Sequence, residues 1–171
     1  LLTKAQRVAK PKATFVESFV EAKDELSVRI DGVSFTSRVL SKNLAEVHRV
    51  FPYIATCGIE LDSLRKTHND AFLHFCLEAI KSAALSAAVN GLTTRLAQEY
   101  GIKKYAVIHP GSGDRDMWPI EEQKPFFSLF SDAPQKIGVH LTDSYVMVPN
   151  KSVSGILFPT EVDFVSCNLC H

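Results

Sequence analysis

Apolar and polar positions along this chain change period several times, and each change predicts an element. Ala13 to Asp24 suits a strand or a short helix equally well. Leu26-Ser27-Val28-Arg29-Ile30 alternates, Asp31-Gly32 supplies turn chemistry, and Val33-Ser34-Phe35-Thr36 resumes the alternation, which predicts a β-hairpin. Ser41 to Val50 reads as a helix capped by Ser41 or Asn43, with Leu44, Val47 and Val50 on one face, and Val50 to Cys57 reads as a buried strand. Ile59 to Thr67, after Gly58, reads as a short helix, acidic and then basic.

From about Asn69 to Tyr100 the period is helical. Phe72, Phe75, Cys76, Ala79, Ile80, Ala83, Ala87 and Leu92 recur at helix spacing, Asn69 or Asp70 can cap the start, and Gly101 can end it. At ~1.5 Å per residue such a helix spans nearly 50 Å and crosses most of a domain. Its middle is rich in small residues, from Ser82 to Ala88, and Gly91 is a point where it could break. Lys104 to Ile108 predicts a strand, followed by the loop His109-Pro110-Gly111-Ser112-Gly113-Asp114. Pro119 to Phe130 predicts a helix with Glu121 and Glu122 at its favourable end. Val139 to Leu141 and pieces of 145–158 are strand-like. Hairpins and helices out of βαβ order predict an α+β fold: a single domain of mainly antiparallel twisted sheet packed with a long central helix and shorter helices.

Composition narrows the function classes. The 171 residues are 46% hydrophobic and 22% charged, as in a folded domain able to build a core without metals or disulfides. Lys plus Arg number 19 and Asp plus Glu number 19, so no global field draws the chain to nucleic acid. The basic run from Leu1 to Lys12 reads as a solvated terminal arm, leaving 13–171 as the folded module. No uninterrupted apolar run approaches the ~20 residues of a membrane helix, and a cytoplasmic setting without membrane is expected. Cys57 and Cys76 sit in apolar segments, as buried free thiols do.

Larger patterns lie in the C-terminal two-fifths. Pro110-Gly111-Ser112-Gly113, Trp118 to Gln123, Ile137 to Ser144 with its Leu-Thr-Asp-Ser, Met147-Val148-Pro149 and Ser152-Val153-Ser154-Gly155 follow in order. This composite resembles the activation domain of cobalamin-dependent methionine synthase, most clearly over residues 69–164. The resemblance implies a separate reactivation protein. S-Adenosylmethionine (AdoMet) would be bound with its methyl toward the cobalt of an oxidised corrinoid, and an external electron donor would supply the electron. The partner implied is a corrinoid-binding protein or methyltransferase. The chemistry belongs to the cofactor and the methyl donor, so no nucleophile or general base is required of the chain.

The resemblance also implies site residues. The family motif Arg-Pro-x-Pro-Gly-Tyr matches at Pro110 and Gly111, with its Arg position on Val107, its x on His109 and its Tyr on Ser112, and Gly113 follows in the loop. Without the Arg, His109 is the remaining side-chain donor for a methionyl carboxylate. An acidic ligand residue near the end of the long helix corresponds to Glu99, and an aromatic after Ser-Val-Ser-Gly corresponds to Phe164. The same residues have plainer readings: Pro110 to Gly113 as a turn, His109 as a polar turn residue, Glu121 and Glu122 as helix-start charges, Trp118 and Phe126-Phe127-Phe130 as core.

Cys167-Asn168-Leu169-Cys170-His171 is a second chemical candidate. Cys167 and Cys170 supply half of a zinc or iron–sulfur site, with His171 a conceivable third ligand, or form a redox dithiol. The alternative function that follows is a corrinoid-protein docking or redox module that methylates nothing.

Overall fold

A computed structural model of the chain describes residues 1–67, 70–111 and 118–161, with the side chains of 65–67 left aside. The fold is α+β, as the order of elements predicts. The described residues gather into two compact units, interleaved along the sequence.

One unit comprises Leu1–Thr14, Ile54–Arg95 and Asp132–Val153. Its first element corrects the expectation of a solvated arm, because Leu2–Val8 is a helix, α1. Ala5 is fully buried there, in a core with Cys57, Leu61, Leu64 and Leu77. The segment can fold because Leu1, Ala5, Val8 and Ala9 share one face while its cations stay outside. Lys12 Nζ lies 3.1 Å from Glu60 Oε1, on a 3-10 helix over Ile59–Thr67.

The long helix α3, Ala71–Tyr100, runs from this unit into the other. Asp70 starts it, accepting from Phe72 N at 2.7 Å and Leu73 N at 3.3 Å. Gly101, at φ +64°, ends it in the left-handed turn that a glycine C-cap adopts. The helix continues unbroken through Gly91. Its buried face differs from the expected stripe: Leu77, Lys81, Leu92, Thr93 and Leu96 face inward, whereas Phe72, Phe75, Ala79, Ala83 and Ala87 are exposed. Apolar residues all around the helix left its rotation undetermined by periodicity. By length and composition α3 is also apolar enough to cross a membrane, the one such helix among the described residues.

Lys81 explains the inward rotation in part. It is 2% exposed, with Nζ 2.7 Å from Asp62, 3.1 Å from Glu78 and 2.7 Å from Asn150 Oδ1. A buried ammonium requires such partners. Burial lowers the Lys81 pKa, but the bonds to Asp62 and Glu78 outweigh it and raise the value. The unit is completed by α5, Ala133–Lys136, and by the pair β7, His140–Leu141, and β8, Met147–Val148.

The other unit comprises Phe15–Tyr53, Leu96–Ser131 and the segment from Ser154. It holds most of a sheet ordered β4 (Val33–Thr36), β3 (Ser27–Ile30), β2 (Ser18–Lys23), β5 (Arg49–Thr56), β9 (Ser152–Pro159) and β6 (Tyr105–Ile108), with β1, Lys12–Phe15, pairing β5. β2, Ser18–Lys23, pairs antiparallel with β3, Ser27–Ile30, which pairs in turn with β4, Val33–Thr36. The hairpin matches expectation, with Asp31 at φ 45° and Gly32 at φ 78°. The expected helix over 41–50 is instead α2, Arg38–Asn43, capped by Ser37 Oγ, which accepts from Leu40 N at 3.0 Å. Pairing with β2 explains the shift: His48 O accepts from Val20 N, and Phe19 faces Arg49, which opens β5, Arg49–Thr56. The chain is therefore already extended where the helix was expected to continue.

Candidate functional site

Part of the sequence pattern lies within the second unit, namely Pro110-Gly111, Trp118 to Gln123 and Ser154-Gly155, whereas 137–144 and 147–153 belong to the first. β6, Tyr105–Ile108, pairs antiparallel with β9, Ser152–Pro159, so that Val107 faces Leu157 and Ile108 faces Ile156. Beyond Ile108 the chain leaves the strand as His109-Pro110-Gly111. Strand alternation buries Ala106 and Ile108, which leaves Val107 and His109 as partly exposed neighbours on the opposite side.

His109 is fixed by β9. Its Nδ1 lies 2.8 Å from the Ser154 carbonyl oxygen. A carbonyl can only accept, so Nδ1 carries the proton and Nε2 is an acceptor in the neutral ring and a donor in the imidazolium. Gly155 makes this approach possible, since a Cβ there would stand 2.7 Å from His109 Nδ1 and 3.0 Å from Ile108 O. Tyr53, buried on β5, meets the imidazole edge-on at 6.3 Å between ring centres. Burial pushes the Tyr53 phenol well above its usual value, so it stays protonated.

Ser154 ties the same strand to the next segment. Its Oγ donates to Gln123 Oε1 at 2.9 Å, and both side chains are buried. The helix expected over Pro119–Phe130 is a 3-10 turn, Ile120–Glu122, running into α4, Gln123–Ser128. Gly111 closes the loop by donating from N to Trp118 O at 2.8 Å. At φ +78° it occupies the region that favours glycine, and a Cβ would come within 2.6 Å of Ile120 Cδ1.

Trp118 is 1% exposed and stacks edge-on against Phe35 and Phe126, so the plainer reading of it as core holds. Its buried Nε1 and the buried Oε2 of Glu122 have no hydrogen-bond partner among the described residues. Glu122 Oε1 accepts from Thr36 N at 3.3 Å. Burial raises the Glu122 pKa and the neighbouring Glu121 adds to it, against the lowering effect of the Thr36 bond.

Glu99 lies on the last turn of α3 and is exposed. The adjacent Tyr100 stacks with Phe51 at 4.5 Å, and the Arg49 guanidinium sits 5.3 Å from its ring centre. Ser112, Gly113, Phe164, Cys167, Cys170 and His171 lie outside the described residues. Among the described residues, no group of three or more His, Cys, Asp or Glu side chains is placed to hold a metal.

Sequence reasoning named His109, Pro110 and Gly111 but missed their supports: Gln123 beneath Ser154, and Gly155 as the bare surface on which the imidazole rests. The Ser-Val-Ser-Gly pattern was the available signal, although nothing in it said which ring would need the glycine.

Comparison with known proteins follows the same segment. The family model described as vitamin B12 dependent methionine synthase, activation domain, matches residues 53–164. No curated protein matches. Among solved structures, a MetH reactivation domain bound to AdoHcy is similar in fold, with a TM-score of 0.70 at 15% identity. The alignment covers 95% of this chain and 63% of that one, so the chain spans under two-thirds of its structural relative.

Proposed function

Since the chain belongs to the family of vitamin B12-dependent methionine synthase activation domains, we propose that it binds AdoMet and supports reductive methylation of an oxidised corrinoid carried by a partner protein in the cytoplasm. The observation that carries this reading is the family match over 53–164, which includes the whole β6 to Gly111 turn and its β9 support. When bound, AdoMet supplies the methyl group that, with one electron from an external reductant, converts cob(II)alamin to methylcobalamin and leaves AdoHcy.

The chain's own contribution is binding and orientation. Gly111 keeps the turn tight, with the Ile120 side chain packed where a Cβ would stand. His109, on the side of the strand shared with Val107, offers the anionic end of the ligand a ring fixed by Ser154 O. One imidazole replaces the family's permanent guanidinium and its bidentate fork, so carboxylate binding is weaker. Glu99 is kept as the acidic residue facing the cationic groups of the ligand.

The test is an anaerobic assay containing a corrinoid protein, a low-potential reductant and AdoMet, followed at the absorbance of methylcobalamin. Wild-type protein accelerates methylcobalamin formation and Gly111→Val abolishes the acceleration. Unchanged activity in Gly111→Val contradicts the site.

A further inference from the structure

Within the first unit, the outward face of α3 is unlike a solvated helix surface. Its exposed positions from Ala71 to Gly91 are Ala, Phe, Ser, Asn and Gly, without one charged side chain. Phe72 and Phe75 are 69% and 72% exposed, whereas the opposite end is bare at Ala87 and Gly91. Gly91 is unexplained by the described residues: a Cβ there would meet none of them within 4 Å. Glycine destabilises a helix interior relative to alanine, so some other surface must account for the missing methyl group.

We infer that this face is the interface of a two-fold homodimer, in which α3 packs antiparallel against α3 of a second copy. Reversing the helix about residue 81 pairs eight of the ten exposed positions from Ala71 to Gly91 with one another. Ala71 then opposes Gly91, Phe72 opposes Asn90, Phe75 opposes Ala87 and Ala79 opposes Ala83. Each large residue meets a small one, and every partner is itself exposed, which is the self-complementarity that a two-fold interface demands. The alanines and the glycine let the two axes come within the roughly 8 Å of closely packed helices.

Size favours the same occupant. A phenylalanine buries on the order of 150–250 Å², so covering four rings that are each about 70% exposed removes roughly 400–700 Å² from water. The small residues along about 30 Å of both helices add the rest of the roughly 1,200 Å² at which stable interfaces begin.

Sedimentation velocity of the full chain over a concentration series tests this. The expected result is a reversible shift from the 18.9 kDa monomer to a species of twice that mass. Ala83→Arg and Phe75→Glu each weaken the dimer at least tenfold with an unchanged circular dichroism spectrum, the second serving if the first fails to fold. Gly91→Ala raises the melting temperature of the dilute monomer yet weakens the dimer. A monomer at every concentration overturns the inference, as does a dimer indifferent to both charged variants. Flotation of the monomer with phosphatidylcholine vesicles also overturns it, by assigning the face to a membrane.

Discussion

His109 Nδ1 sits 2.8 Å from the carbonyl oxygen of Ser154, over a glycine that has no room for even a methyl group. Gly155→Ala therefore forces the imidazole off its seat or pushes β9 away from β6. The expected cost is about 1–3 kcal/mol, as for other overpacked buried sites. Chemical denaturation measures it, and AdoHcy affinity falls in parallel because His109 loses its orientation.

Gly111 combines two constraints that substitutions can separate. Gly111→Ala meets Ile120 Cδ1 at 2.6 Å and also places an L-residue at φ +78°. Ile120→Ala in the same chain relieves the contact and leaves the backbone strain, which is of order 1–3 kcal/mol. Thermal melts are expected to show partial recovery of stability in the double variant.

The ion cluster at Lys81 predicts the pH range of stability. Burial opposes ionisation of Glu78, but its bond to Lys81 and the nearby Lys151 hold the carboxyl below its usual 4.5. A depressed carboxyl contributes stability above pH 4.5 that is lost as pH falls through the lower native value. Lys81, raised above its usual 10.5, contributes stability below that pH and loses it as pH rises through the native value. Lys81→Met should lower stability at neutral pH and flatten both edges of the profile. Asp62 and Glu78 remain partly in water, so the loss is nearer 1 kcal/mol than the several kcal/mol of a fully buried pair.

Glu122 has the opposite sign. Its raised native pKa means that the ionised carboxylate costs stability at neutral pH, and that this cost disappears as pH falls below the unfolded value of 4.5. Glu122→Gln should stabilise the protein at pH 7 and confer no advantage at pH 4. Paired thermal melts at the two pH values check both statements.

Much of this architecture was legible in the sequence because its signals are local. Asp31-Gly32 fixes the hairpin turn, and Asp70 and Gly101 bracket α3 with side-chain and backbone chemistry that needs no tertiary partner. Where tertiary contacts decide, the reading failed. Ser41 looked like a cap, but it lies inside α2 with its hydroxyl donating to Asp24 O, while Ser37 caps. The rotation of α3 was hidden because alanines surround it and because one of its fully buried large side chains is a lysine, a residue that pattern reading places in water. Likewise the loop of the candidate site was found from its Pro-Gly pair, whereas Ser154, Gly155 and Gln123 gained roles only once β9 was seen beside β6.

Calorimetric titration with AdoHcy and AdoMet tests the central claim most directly. The account predicts saturable binding of both, absent in folded Gly111→Val. Folded wild-type protein that gives no heat and no thermal stabilisation at millimolar ligand would contradict it.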